Sequence, residues 1–392
     1  MSMNQTPAGE RVHIGFFGLR NAGKSSLVNA VTGQSLSVVS AVRGTTTDPV
    51  RKAMELLPLG PVVIIDTPGF DDEGSLGEQR VKKTRQVLEE TDVAILVTEA
   101  GRSLAPAEEE LLRLFREREI PHLIVKNKCD LFPGAEDVYL RASALTGAGV
   151  SELKEAIARL APPEQQKLRL VADLIQPGDF VVLVAPIDKS APKGRLILPQ
   201  QQAIRDILEA DATAVVVKEF ELRDTLAALG RAPALVITDS QVFAKAAADT
   251  PPGTPLTSFS ILFARYKGYL EAAVRGVRAL ETLPEGAHIL IAEGCTHHRQ
   301  CDDIGTVKIP RWIRSELGKS FRFSSCSGWE FPEDLTGVDL VIHCGGCMLN
   351  ERTVRARLRT AEAQGVPFTN YGVVIAWAQG ILERCLLEGR LG

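Results

Sequence analysis

Short apolar runs recur along this chain, separated by amphipathic stretches and by Gly/Pro breaks. Val12-His13-Ile14-Gly15-Phe16-Phe17, Val62-Val63-Ile64-Ile65 and His122-Leu123-Ile124-Val125 are largely apolar throughout, the pattern of strands buried on both faces. Helical spacing follows them, first at Ser26-Leu27-Val28-Asn29-Ala30-Val31. Ala161-Pro162-Pro163-Glu164-Gln165-Gln166 breaks the alternation and reads as a linker. A second block repeats the pattern. Phe180–Val184, Thr213–Val217 and Ala234–Thr238 read as strands, with helices from Pro199 to about Leu208 and from Leu222 to Leu229. Repeated βα alternation predicts a small parallel sheet. Lys189, Lys193 and Arg195 read as a solvated loop, and Pro251-Pro252-Gly253-Thr254-Pro255 closes the block. A third block predicts one long helix from Ala264 to about Leu283. Strands follow at His288–Ala292 and Val338–Ile342, and helices after Pro310, Asn350 and Tyr371.

A chain of 392 residues is too long for one core. The expected fold is α/β, with a nucleotide-binding domain over 1–162, a middle α/β domain over 178–260 and a last α/β domain over 262–392. The net charge is −4 and no basic run stands out, which argues against a nucleic-acid partner. No stretch of 18 uninterrupted apolar residues is present, so no membrane span is expected. The first ten residues lack a signal-peptide core, which leads us to expect the cytoplasm. Seven cysteines in a reducing compartment read as core residues or metal ligands rather than a disulfide framework.

The first apolar run leads into Gly18-Leu19-Arg20-Asn21-Ala22-Gly23-Lys24-Ser25, a complete phosphate loop between a strand and the helical run from Ser26, which also joins the candidate nucleotide contacts. Its glycines let backbone N–H groups point at phosphate oxygens. Lys24 neutralises the β/γ-phosphates and Ser25 ligates Mg²⁺. Four further elements follow in order: Thr45-Thr46-Thr47-Asp48, Asp66-Thr67-Pro68-Gly69, Asn127-Lys128-Cys129-Asp130 and Ser143-Ala144-Leu145. Asp66 reaches the Mg²⁺ shell, and the Gly69 N–H senses the γ-phosphate. The Asp130 carboxylate accepts both N–H donors of a guanine edge, which adenine does not offer. The set specifies a P-loop GTP site.

Residues 21–29 and 44–48 resemble the TrmE–Era–Septin-like class of GTPases. In its tRNA-modifying members the phosphate-loop Asn helps bind K⁺, where other GTPases place an arginine finger. Asn21 matches that position, although an Asn there also caps a turn unaided. Thr46 matches the Mg²⁺-sensing Thr of the switch loop. Apolar Phe70 follows Gly69 where a water-positioning Gln is often found, which implies slow intrinsic hydrolysis.

The third block carries a second kind of chemistry. Cys295 and His297 follow one predicted strand, and His343-Cys344-Gly345-Gly346-Cys347 follows another, with 45 residues between the two histidines. If those strands are parallel neighbours, both loops open at one carboxyl edge, where ligand sites of open α/β sheets lie. Three thiolates with one further ligand suit zinc or a 4Fe-4S cluster. Cys301, Asp302 and Asp303 also stand close enough in sequence to supply the last ligand. Cys129, Cys326 and Cys385 read as structural.

The combination of these GTPase motifs with Cys-x-His…His-Cys-x-x-Cys resembles the maturation GTPases of iron-only (FeFe) hydrogenase. Gly305-Thr306-Val307-Lys308-Ile309-Pro310-Arg311-Trp312 also looks like that family. The resemblance implies a scaffold that binds GTP, Mg²⁺ and a 4Fe-4S cluster. It receives a transient diiron precursor from two radical-SAM maturation enzymes and passes it to apo-hydrogenase. It implies Cys295, Cys344 and Cys347 as cluster thiolates, with His297, His343 or Asp302 as the replaceable fourth ligand. A homodimer through the middle domain is expected. Two other readings compete: a zinc-containing GTPase in RNA or ribosome biogenesis, and a redox-sensing regulatory GTPase.

Overall fold

The computed structural model describes residues 8–33, 49–70, 83–133, 138–161, 169–187, 196–294, 303–328, 330–387 and 391. It divides into two compact units, Met1–Gln166 and Lys167–Gly392.

The first unit is built on a six-stranded sheet in the order β2-β3-β1-β4-β5-β6. The strands are β1 (Val12–Phe17), β2 (Val50–Leu56), β3 (Gly60–Asp66), β4 (Val93–Glu99), β5 (His122–Asn127) and β6 (Leu140–Arg141). All neighbours are parallel except β2 with β3. β1, β3 and β4 are apolar runs because they lie inside the sheet, and their residues are almost wholly buried. Edge strand β2 is exposed along most of its length and carries a mixed sequence that gives no such signal. Separate apolar cores form on the two faces of this sheet, one holding Ile14 and Phe16, the other Phe17 and Phe115.

The second unit holds two four-stranded parallel sheets. One runs β10-β9-β7-β8, from β7 (Phe180–Val184), β8 (Thr213–Val217), β9 (Leu235–Thr238) and β10 (Leu256–Ser258). The other runs β12-β11-β13-β14, from β11 (His288–Ala292), β12 (Arg322–Cys326), β13 (Leu340–His343) and β14 (Phe368–Asn370). One continuous apolar core from Leu170 to Leu391 serves both sheets. Helices leave the strands through side-chain caps. Ser258 Oγ accepts from Ile261 N–H at 3.2 Å and Asn370 Oδ1 from Val373 N–H at 2.9 Å.

The long helix expected from Ala264 is two helices, Phe259–Tyr266 and Leu270–Thr282. Gly268 breaks it at φ 69°, and a Cβ there would lie 2.1 Å from Arg355 Nη2. The break leaves Lys267 buried at the joint. Lys189, Lys193 and Arg195 lie outside the described residues.

Candidate functional site

In the first unit the phosphate loop turns from β1 into the helix Lys24–Thr32. Gly23 sits at φ 85°, and a Cβ there would lie 2.3 Å from Asn127 Nδ2, so only glycine fits. Asn21 also holds a left-handed backbone, φ 62°, which Asn tolerates better than most residues. Lys24 is buried, and its Nζ donates to Gly18 O at 3.1 Å and Leu19 O at 2.9 Å, across the mouth of the loop. Ser25 Oγ donates to Asp66 Oδ2 at 2.6 Å, while the buried Asp66 Oδ1 has no hydrogen-bond partner. An orphaned carboxylate oxygen beside a hydroxyl is a donor set that suits a hard, oxygen-seeking cation such as Mg²⁺.

Asp66-Thr67-Pro68-Gly69 closes over this loop. Thr67 Oγ1 donates to Phe16 O at 2.7 Å, and Phe70 N–H to Gly18 O at 3.1 Å. A Cβ on Gly69 would lie 2.9 Å from the backbone of Arg20, so this glycine rests directly on the phosphate loop. Phe70 is buried in the core that holds Phe17 and Phe115, and so anchors the segment instead of orienting a water.

Asn127 joins three parts of the site. Its Nδ2 donates to Ala22 O at 3.0 Å, and its Oδ1 accepts from Ala144 N–H at 3.2 Å. Ser143 Oγ donates to Asp130 Oδ1 at 2.6 Å, which orients a solvent-exposed carboxylate. Lys128, at φ 59°, pairs with Glu99 Oε1 at 2.9 Å. Asn127, Asp130 and Ser143, the phosphate loop, and the Ser25–Asp66 pair thus form one connected site. Ser26 lies in the first turn of the helix after Ser25. Thr45 and Thr46 lie outside the described residues.

In the second unit β11 and β13 are parallel neighbours, with Ala292 opposite His343. The segments after both strands therefore open at the same carboxyl edge. Cys344 Sγ accepts two backbone hydrogen bonds, from Gly294 N–H at 3.0 Å and Gly346 N–H at 3.3 Å. Gly346 holds φ 64° to turn its amide back onto that sulfur. Burial raises the pKa of the Cys344 thiol, and its hydrogen bonds oppose that rise. Burial also pushes Cys347 up to about 11, with Cys344 adding to the rise and the Lys267 ammonium opposing it. Metal binding at such thiols displaces protons and yields thiolates. A cysteine sulfur that already accepts two N–H donors, as Cys344 Sγ does, fits an iron–sulfur cluster, whose sulfurs are commonly hydrogen-bonded.

His343 departs from its expected place as a ligand. Its ring is fully buried and stacks on Phe368 at 5.6 Å between centroids. Nδ1 donates to Cys344 O at 2.6 Å, and Nε2 accepts from Arg357 Nη1 at 3.0 Å. Both ring nitrogens are spent inside the protein, and burial followed by the Arg357 charge holds the ring neutral, at about 3. In this arrangement it braces the cysteine loop. Cys295, His297 and Asp302 lie outside the described residues. Among the described residues no three His, Cys, Asp or Glu side chains cluster as a metal site. Cys326 also ends at this carboxyl edge, opposite Ala292, while Cys385 is fully buried as expected of a core residue. Glu293, Tyr371, Lys267 and Arg357 surround the edge without any sequence signal that singles them out. Tyr371 O–H donates to Glu293 Oε1 at 3.1 Å.

Residues 270–388 match the model of the hydrogen maturase F tetramerization domain, and residues 170–268 that of the hydrogen maturase F dimerization domain. The chain belongs to the hydrogen maturase F family. Residues 13–128 match the 50S ribosome-binding GTPase model, so the first unit holds a GTPase domain. GTPase Era of Carboxydothermus hydrogenoformans is 34% identical over 164 residues, covering 38% of this chain and 55% of its own length. The tRNA modification GTPase MnmE of Aquifex aeolicus is 33% identical over 160 residues, covering 38% of this chain and 34% of its own. The chain thus spans about half or less of these curated relatives. A solved structure of Aquifex aeolicus Era bound to GDP and AlF4⁻ covers 55% of this chain and 97% of that one, at 23% identity and TM-score 0.35. No helix among the described residues is long and apolar enough to cross a membrane.

Proposed function

We propose that this protein is a GTP-hydrolysing scaffold of FeFe-hydrogenase maturation. Its first unit binds GTP and Mg²⁺ and turns over slowly. Its second unit holds a 4Fe-4S cluster on Cys295, Cys344 and Cys347 and carries a diiron precursor to apo-hydrogenase. One observation carries the reading: β11 and β13 are adjacent and parallel, so Cys344 and Cys347 share an edge with the strand that leads to Cys295. Cys295, Cys344 and Cys347 would hold the cluster by three thiolates, and an iron left without a thiolate would supply an exchangeable coordination position for an incoming diiron unit. Asp302 and His297 remain the candidates for the replaceable fourth ligand, since His343 is engaged elsewhere.

In the first unit Lys24 and the phosphate-loop amides hold the β/γ-phosphates, and Ser25, Asp66 and Thr46 serve the Mg²⁺ shell. Asn21 would help hold a K⁺ that would supply positive charge in place of an arginine finger, and the Gly69 N–H reports the γ-phosphate. Asn127, Lys128 and Asp130, with Ser143 and Ala144, hold the guanine. The precursor comes from radical-SAM maturation enzymes, and the protein works as a homo-oligomer. Edge strand β8 supports self-association, with Val216 42% exposed and Phe220 nearby 74% exposed.

The test is anaerobic reconstitution with iron and sulfide, followed by iron counting and electron paramagnetic resonance. Native protein is expected to hold four irons per chain. Cys344→Ser and Cys347→Ser each lose most of that iron and fail to support activation of apo-hydrogenase. Native protein that takes up zinc and no iron refutes the reading, as do serine variants that keep a full cluster and full activation.

A further inference from the structure

Lys267 is 2% exposed at the break between the helices Phe259–Tyr266 and Leu270–Thr282. Burying an ammonium costs free energy that an apolar side chain of the same length avoids. Its position shows what the charge serves. Nζ donates to Gly346 O and, at 2.5 Å, to Leu349 O, and it lies 5.4 Å from the Phe263 ring centroid. Both carbonyls belong to the turn that carries Cys344 and Cys347. The Gly346 residue is therefore held from both sides, its carbonyl on Lys267 and its N–H on Cys344 Sγ. Arg355 Nε donates to Lys267 O at 3.2 Å and fixes the lysine backbone in turn.

We propose that Lys267 is a positioning residue for the cluster loop: it clamps the Cys344–Cys347 turn and supplies a buried positive charge beside the thiolates. This rests on the cluster reading above. Two consequences follow. The clamp keeps the Gly346 N–H aimed at the sulfur, and groups behind a ligand typically change metal affinity by about 10–100-fold when removed. The charge stabilises the reduced, more negative cluster, so it raises the reduction potential.

The experiment uses the full chain, reconstituted anaerobically, in native form and as Lys267→Met and Lys267→Arg. Lys267→Met is expected to release iron to a chelator about tenfold faster and to titrate at a more negative potential. Lys267→Arg keeps the charge and stays near the native potential. GTP turnover, on the other unit, is unchanged in both. If Lys267→Met does not fold, Lys267→Gln takes its place, keeping a donor without the charge, and the same shift in potential is required. A lysine that only supports the fold lowers the melting temperature of the metal-free protein and leaves potential and release rate unmoved. That result overturns the proposal while the cluster stands. Native protein without iron overturns the cluster reading itself.

Discussion

Asn127→Ala tests whether the nucleotide site is held together as the structure has it. Asn127 is 1% exposed, and its amide ties Ala22 O of the phosphate loop to Ala144 N–H beside the base-recognition elements. Alanine removes these two hydrogen bonds, and a longer one to Gly23 O at 3.4 Å, and leaves a carbonyl and an N–H without their partner. A net hydrogen bond contributes about 1 kcal/mol, and a buried group left unsatisfied costs about 1–3 kcal/mol. Water reaches a vacated amide pocket in part, so the lower end applies, and the total is about 2–3 kcal/mol. Part of this falls on the fold. A change of about 1 kcal/mol shifts the melting temperature of a unit this size by about 2–4 °C. The rest falls on binding, because GTP must then order a phosphate loop and a base loop that no longer brace each other. A binding loss of about 1.4–2 kcal/mol is about 10–30-fold in Kd. Titration with a fluorescent GDP analogue gives the affinity, and calorimetry of the nucleotide-free protein gives the stability. The mechanism requires the variant to lose more affinity for nucleotide than a phosphate-only ligand does, since the base and phosphate halves are being uncoupled. An affinity within twofold of native, with an unchanged melting temperature, refutes it.

Two further predictions concern separate groups. Asn21 sits at φ 62°, where alanine adds about 1 kcal/mol of backbone strain. Asn21→Gly is therefore the cleaner variant: it should abolish stimulation of GTP turnover by KCl over NaCl, and equal native rates in the two salts reject the K⁺ role. Burial alone raises the Glu108 pKa, but hydrogen bonds from Arg102 and from Ala105 N–H, with the Arg102 charge, outweigh it and hold the group below its ordinary 4.5. Its stabilising contribution is thus complete above pH 4.5 and is lost as pH falls through the depressed folded value. The melting-temperature gap between native protein and Glu108→Gln should be constant above that pH and shrink below it, and a gap independent of pH refutes the assignment.

What the chain made legible follows from where each strand lies. β1, β3, β7 and β11 are interior strands of parallel or largely parallel sheets, and interior position demands largely apolar runs that are visible without any structure. β12 reads Arg322-Phe323-Ser324-Ser325-Cys326 and is largely exposed at its sheet edge, so nothing in its composition separates it from a loop. Gly268 punctuates an otherwise helical pattern, and its left-handed backbone, φ 69°, makes that glycine a break.

The two sites divide differently. A phosphate loop is legible because each chemical role sits at a fixed spacing on one strand–loop–helix turn. The cysteine edge draws on residues far apart in sequence: Lys267 stands 79 positions before Gly346, and Arg357 reaches His343 from a following helix. Spacing carries no record of such partners. His343 is the instructive case, because the chain did hold the information. His343 ends β13, and Cys344 continues its ladder by donating N–H to Ala292 O. Neighbours on an extended backbone point to opposite faces. If Cys344 faces the ligand pocket, His343 must face the other way, into Phe368 and Arg357, where it is found. Strand parity alone therefore separates the proposed ligand from its brace within the His-Cys pair.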